Sequence, residues 1–159
     1  MWIQCQQNNY FTGTFSSSSI FDDKSNIWGP QFAGDAIWST SNENLFATYI
    51  EDMPWLQWHL PDKAKVAGIT ISTSRFEGEL LKNIEVRAGF SALNSNFKGK
   101  IKVNKFCGKF IGPGTNRRSY TILCSDPIPA DVITVQTMEN KTQLQINEIE
   151  LITTSEGKL

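Results

Sequence analysis

The chain of 159 residues carries 15 Lys+Arg against 16 Asp+Glu, one histidine and a formal net charge of −1. That balance offers no basic stripe for neutralising phosphates, so nucleic acid is not an expected partner; the nearest approach, Arg117-Arg118, reads as solvated loop charge. A hydrophobic share of 40% with five tryptophans excludes the composition of disorder, and the length suits one domain over residues 1–159.

In chain order, Met1-Trp2-Ile3-Gln4-Cys5 lacks the charged and long apolar regions of a signal peptide. A removed signal, a module cut from a longer chain and a cytosolic protein all stay open. No apolar run reaches the roughly 20 residues of a membrane helix. The first fifty residues are loop-like at Ser16–Ser19, Asp22–Asn26 and Ser39–Asn44, yet Trp28, Phe32, Ile37 and Trp38 are interspersed. This region is expected to wrap a core rather than hang free.

Seven β-like segments follow: Trp55–Leu60, Val66–Thr73, Asn83–Gly89, Ile101–Phe106, Ser119–Cys124, Val132–Gln136 and Leu144–Ile152. Most alternate apolar and polar residues, as Ile69 and Ile71 do against Thr70 and Ser72, which is the pattern of a half-buried antiparallel strand. Helical periodicity is nearly absent. Regular turn punctuation without intervening helices predicts an all-β antiparallel sandwich. Trp55 and Trp58 fall on opposite faces of their strand, so one of them belongs to the core.

Residue chemistry narrows the function further. Cys5, Cys107 and Cys124 form no C-x-x-C, and His59 stands alone, so a zinc site is excluded. If a disulfide forms, Cys107 with Cys124 is the pair of choice, since each lies in or beside a β-like stretch; three reduced thiols are the alternative. The carboxylate pairs Asp22-Asp23 and Glu51-Asp52 sit in loops with no cleft signal, His59 lies on an alternating strand, and Gly108–Gly114 lacks a phosphate-loop ending. No enzyme is expected. Trp38 and Phe76, in predicted loops, either stack on a ligand or are buried under the wrapping segment. Asn140-Lys141-Thr142 is a glycosylation sequon on a hairpin loop.

Three stretches carry a family resemblance: Ala36-Ile37, Pro54-Trp55-Leu56-Gln57-Trp58-His59-Leu60 followed by Val66-Ala67-Gly68-Ile69-Thr70-Ile71, and Asn147-Glu148-Ile149-Glu150-Leu151. In order and spacing they resemble discoidin-type (galactose-binding-domain-like) domains over roughly residues 15–152. Ser74-Arg75-Phe76-Glu77 and Val86-Arg87-Ala88-Gly89 are most similar to the fucolectin branch, which also carries two cysteines spaced about like Cys107 and Cys124. The resemblance implies an eight-stranded jelly roll binding glycans through loops at one end. Arg75 would be the cationic donor to sugar hydroxyls, Glu77 the accepting carboxylate that also holds the arginine, and Lys82 the second basic residue, with Trp38 beside them. It also implies a structural calcium ion, with Asp35 and Glu148 as oxygen ligands and backbone help near Thr40 and Asn147.

The chain departs from the family at Tyr49-Ile50-Glu51, where fucolectins carry a histidine, at Gly78-Glu79, where they carry adjacent cysteines, and at Trp38, where they carry an aspartate. The reading is therefore a lectin-like carbohydrate-binding module, extracellular or at the cell surface, that touches membranes only through glycans or headgroups. An oligomer would add avidity. The alternative is a non-catalytic protein- or phospholipid-binding module of discoidin type, with apolar loop tips near Phe76 or Phe46.

Overall fold

The computed structural model describes residues 3–5, 13–90 and 104–158. Among them are nine strands: β1 (Ile3–Cys5), β2 (Thr14–Ser17), β3 (Phe46–Ala47), β4 (Trp55–Ser72), β5 (Ile84–Gly89), β6 (Lys105–Phe110), β7 (Ser119–Thr137), β8 (Gln145–Ile146) and β9 (Glu148–Lys158). All of their pairings are antiparallel. Seven strands form the main sheet, ordered β1-β9-β4-β7-β5-β6 with β2 on β4, and the two-residue strands β3 and β8 pair by themselves. Against the eight strands that the resemblance implies, the described residues form nine, seven in the main sheet and a small separate pair.

Alternation forms these strands for the expected reason. In β5, Ile84, Val86 and Ala88 are buried while Glu85, Arg87 and Gly89 are only partly so. Facing them in one core lie Leu56, Trp58, Ile69 and Ile71 of β4, Ile133 and Val135 of β7, and Ile149 and Leu151 of β9. Trp58 is the core tryptophan at 1% exposure, and Trp55 is half-buried.

Two pairs of expected segments turn out to be single strands. Trp55–Leu60 and Val66–Thr73 belong to β4, and Ser119–Cys124 and Val132–Gln136 belong to β7. The start of β4 pairs with β2 and the end of β7; its far half pairs with β9 and the start of β7. A register shift between His59 and Ala64 lets the chain cross from one layer to the other. Pro61, Asp62 and Lys63 are exposed there, so the residues that read as a turn form the outside of a bend. Gly68 lies in this crossing half, where a Cβ would stand 2.4 Å from the Ile122 carbonyl.

The last alternating run divides at Asn147, whose N–H turns to the Ser72 carbonyl and separates β8 from β9. Of the segment expected at Ile101–Phe106, residues 101–103 lie outside the described residues, and β6 continues to Phe110. Cys107 of β6 is bonded to Cys124 of β7. The wrapping segment packs as expected in part: Phe15 stacks on Trp58 with ring centroids 5.4 Å apart, and Ala33 and Phe46 are fully buried. Ile37 and Trp38 project outward.

Candidate functional site

β4 and β7 both begin and end in one set of loops, which backbone hydrogen bonds stitch together. Thr73 N–H donates to Arg118, Arg117 N–H to Ser74, Gly114 N–H to Leu81, Met138 N–H to Asn83, and Thr48 N–H to Leu144. Gly78 permits the tightest of these approaches, because a Cβ there would lie 2.2 Å from the Thr115 carbonyl. The loop around residues 35–43 and the loop after β4 therefore share one rim with the β7–β8 connection.

Across this rim runs a ladder of planar polar groups. Gln143 Nε2 donates to the Thr48 carbonyl at 2.6 Å, and Gln145 Nε2 donates to Gln143 Oε1 at 2.9 Å and to Glu77 Oε2 at 3.1 Å. The β3–β8 pairing sets it, with Ala47 opposite Gln145. Both amides leave groups unspent, since a side-chain amide has two donor hydrogens and two acceptor lone pairs. Tyr49 flanks the ladder beside Thr48, with its ring 6.0 Å from Phe21, which meets Trp28 edge-on at 4.9 Å. Burial, then a hydrogen bond to Asp23 and the charges of Asp23 and Asp22, raise the Tyr49 phenol above its ordinary value. It is therefore a neutral hydroxyl at physiological pH. Phe76, between Arg75 and Glu77 in the chain, is 52% exposed.

The four residues expected to contact ligand are distributed differently from the expectation. Arg75 does not pair with Glu77. Its Nη1 donates to the Thr40 carbonyl at 2.6 Å, and its guanidinium lies 5.0 Å from the Phe76 ring centre. Glu77 turns instead to Gln145, and Lys82 is paired with Glu139 at 3.4 Å. Trp38 is 43% exposed on the loop that Arg75 tethers. Gln143, Gln145 and Tyr49 were missed by residue reasoning, although the alternation of Leu144 and Ile146 against Gln143 and Gln145 places the two amides on the outward face.

The expected cation ligands converge only in part. Glu148 is 3% exposed; its Oε1 accepts the Ala36 N–H at 3.2 Å, while Oε2 is buried without a donor. Burial pushes its carboxyl up to about 9, and the neighbouring Asp35 and Glu150 add to the rise against the Ala36 hydrogen bond. Two adjoining carboxyls with one orphaned oxygen need a proton or a cation between them. Asp35 and Glu148 thus fit a hard cation. The backbone help expected near Asn147 is separate from its side-chain amide, whose Oδ1 accepts the Ser39 N–H and whose Nδ2 donates to the Ser39 carbonyl. The Thr40 carbonyl takes the Arg75 bond and keeps a second lone pair. Among the described residues no group of three or more His, Cys, Asp or Glu stands together, so carbonyls and water would have to complete a calcium shell.

The fold is that of the discoidin-like (F5/8 type C) β-sandwiches. Fucolectins are among the solved structures that share this fold. A fucolectin from striped bass (Morone saxatilis) serum superposes with a TM-score of 0.77 at 19% identity over 92% of this chain and 48% of that one, so this chain spans about half its length. The family 32 carbohydrate-binding module of C. perfringens NanJ, in complex with galactose, gives 0.67 at 18% identity over 91% and 96% of the two chains. An F5/8 type C domain from Bacteroides fragilis gives 0.67 at 13% identity over 92% of each. No protein-family model and no curated protein matches the sequence.

Proposed function

We propose that the chain is one non-catalytic carbohydrate-binding module that takes glycans at the rim carrying Gln143, Gln145 and Glu77. The observation behind this reading is the Thr48–Gln143–Gln145–Glu77 ladder, with the exposed rings of Tyr49 and Phe76 next in the chain to Thr48 and Glu77. A sugar offers adjacent hydroxyls on its edge and an apolar C–H face, which match fixed planar amides and a carboxylate beside exposed rings. Similar folds described as a fucolectin and as a module in complex with galactose support the same class of ligand.

Arg75 acts here as a positioning residue that ties the loop bearing Trp38 to Phe76. Lys82, committed to Glu139, supports the rim from behind. Calcium would be held by Asp35 and Glu148 with the Thr40 carbonyl; the side chain of Asn147 closes the loop onto β9 instead. A bound cation supplies the positive charge that the orphaned carboxylate oxygen lacks. The disulfide is compatible with an extracellular or surface location, where several copies would gain avidity for clustered glycans.

A glycan array probed with the folded protein and with Gln145→Ala tests the reading. Binding to a defined set of oligosaccharides that the variant loses is the expected result. No binding to any glycan rejects the function, and undiminished binding by the variant rejects the site.

A further inference from the structure

Arg117 and Arg118 read in the sequence as an isolated pair, but the loops bring them to Arg75. Residues 73–75 and 116–118 run antiparallel beyond the β4–β7 ladder: Thr73 N–H donates to the Arg118 carbonyl, Arg118 N–H to Thr73 Oγ1 at 2.9 Å, and Arg117 N–H to the Ser74 carbonyl. The backbone of Arg117 is therefore bonded to Ser74, the residue before Arg75, and the two arginine-bearing loops lie side by side. All three side chains are exposed. The ion pairs among the described residues are Lys24–Asp22, Lys82–Glu139 and Arg87–Glu85, so none of the three arginines has a carboxylate partner. Glu77 is bonded to Gln145, and Glu79 sits on the turn at Gly78–Leu80.

Backbone geometry adds a second observation. Arg117 adopts φ 54, a left-handed conformation that costs a non-glycine residue on the order of 1 kcal/mol or more, and an arginine stands there instead of the glycine or asparagine that local geometry favours. Asn116 is fixed by accepting the Gly78 N–H at 2.7 Å, which fastens the arginine loop to the residue next to Glu77. The chain as a whole has net charge −1, so three unpaired guanidiniums on one rim are a local arrangement and not a reflection of bulk basicity.

From this juxtaposition we infer that Arg75, Arg117 and Arg118 form a subsite for an acidic substituent, sulfate or carboxylate, on a saccharide whose hydroxyls lie on the Gln145–Glu77 ladder. The inference rests on the glycan-binding reading and specifies its ligand. Guanidiniums suit both oxyanions because each offers two parallel N–H donors in one plane. Arg75, already held against Thr40 and Phe76, supplies the ordered member; Arg117 and Arg118 close on the anion from the neighbouring loop.

The test is titration calorimetry with matched saccharides: a galactose-terminated oligosaccharide, its sulfated form and its sialylated form, at low and high salt. At low ionic strength an acidic form should bind about tenfold tighter than the neutral parent, and salt should erode that advantage. The double variant Arg117→Asn/Arg118→Gln, in which asparagine accepts the left-handed backbone, should bind the neutral parent unchanged and lose the preference. A wild-type protein that binds the neutral parent with no preference for either acidic form overturns the subsite, as does a preference that survives in the double variant. Folded protein that binds none of the three fails the glycan reading itself, and the subsite falls with it.

Discussion

Gln145 donates to the Glu77 carboxylate at 3.1 Å across 68 residues of sequence, joining β8 to the loop after β4. Both partners are at the surface, so the bond contributes modestly to stability. Its value lies in fixing the Glu77 carboxylate and the Gln145 amide oxygen as acceptors beside the remaining N–H of Gln143. Glu77→Gln should lower glycan affinity about tenfold while moving the thermal midpoint by only a few degrees, measured by calorimetry and a melt of the same sample.

Arg75 gives a distinguishable result. Its bond to Thr40 and its stacking on Phe76 order the loop that carries Trp38. Arg75→Ala should weaken neutral-glycan binding and also raise the proteolytic sensitivity of the 35–43 loop. Arg75→Lys should restore part of the hydrogen bonding without the planar stack. If protection and affinity are both unchanged in Arg75→Ala, the tether has no role.

These two predictions mark where the sequence was readable and where it was not. Alternation in Asn83–Gly89 and in Leu144–Ile152 announced β5, β8 and β9, because a half-buried strand writes its two faces directly into residue order. Pro61-Asp62-Lys63 hid the continuity of β4, since an exposed bend and a true turn use the same residues. The two-residue spacing of Arg75 and Glu77 invited an ion pair. The loop path instead sends one to Thr40 and the other to Gln145, a choice made by partners 35 and 68 residues away.

The Asp35–Glu148 pair sets the pH response. In the unfolded chain Glu148 has the ordinary glutamate value of 4.5, and in the folded protein burial pushes it up to about 9. Its folded value is raised, so the calcium-free protein is favoured below the lower value and loses stability as pH rises through the window between the two, by at most ~1.4 kcal/mol per pH unit. Glu148→Gln should flatten the denaturation profile across pH 5–9. Added calcium should raise the wild-type midpoint most at the alkaline end and leave Glu148→Gln unmoved. An identical midpoint with calcium and with chelator at pH 8 would exclude the cation site.

The Cys107–Cys124 bond closes a separation of 17 residues. Cys107→Ala/Cys124→Ala should cost about 3 kcal/mol by removing that constraint from the unfolded chain. Glycan affinity of the fraction that remains folded should be unchanged, because β6 and the bond lie outside the Gln143–Glu77 ladder. Chemical denaturation of the oxidised and variant proteins checks the first point, and calorimetry the second.

β4 and β7 each pass through both layers of the sandwich, and the loops bearing Tyr49, Glu77, Arg117 and Gln143 adjoin their ends. Neither layer is therefore free to peel away while the other stays intact, and the scaffold should yield in one cooperative step. A frame that resists partial opening tolerates wide exchange of its rim residues, so the tyrosine segment and the amide ladder can change without loss of the scaffold.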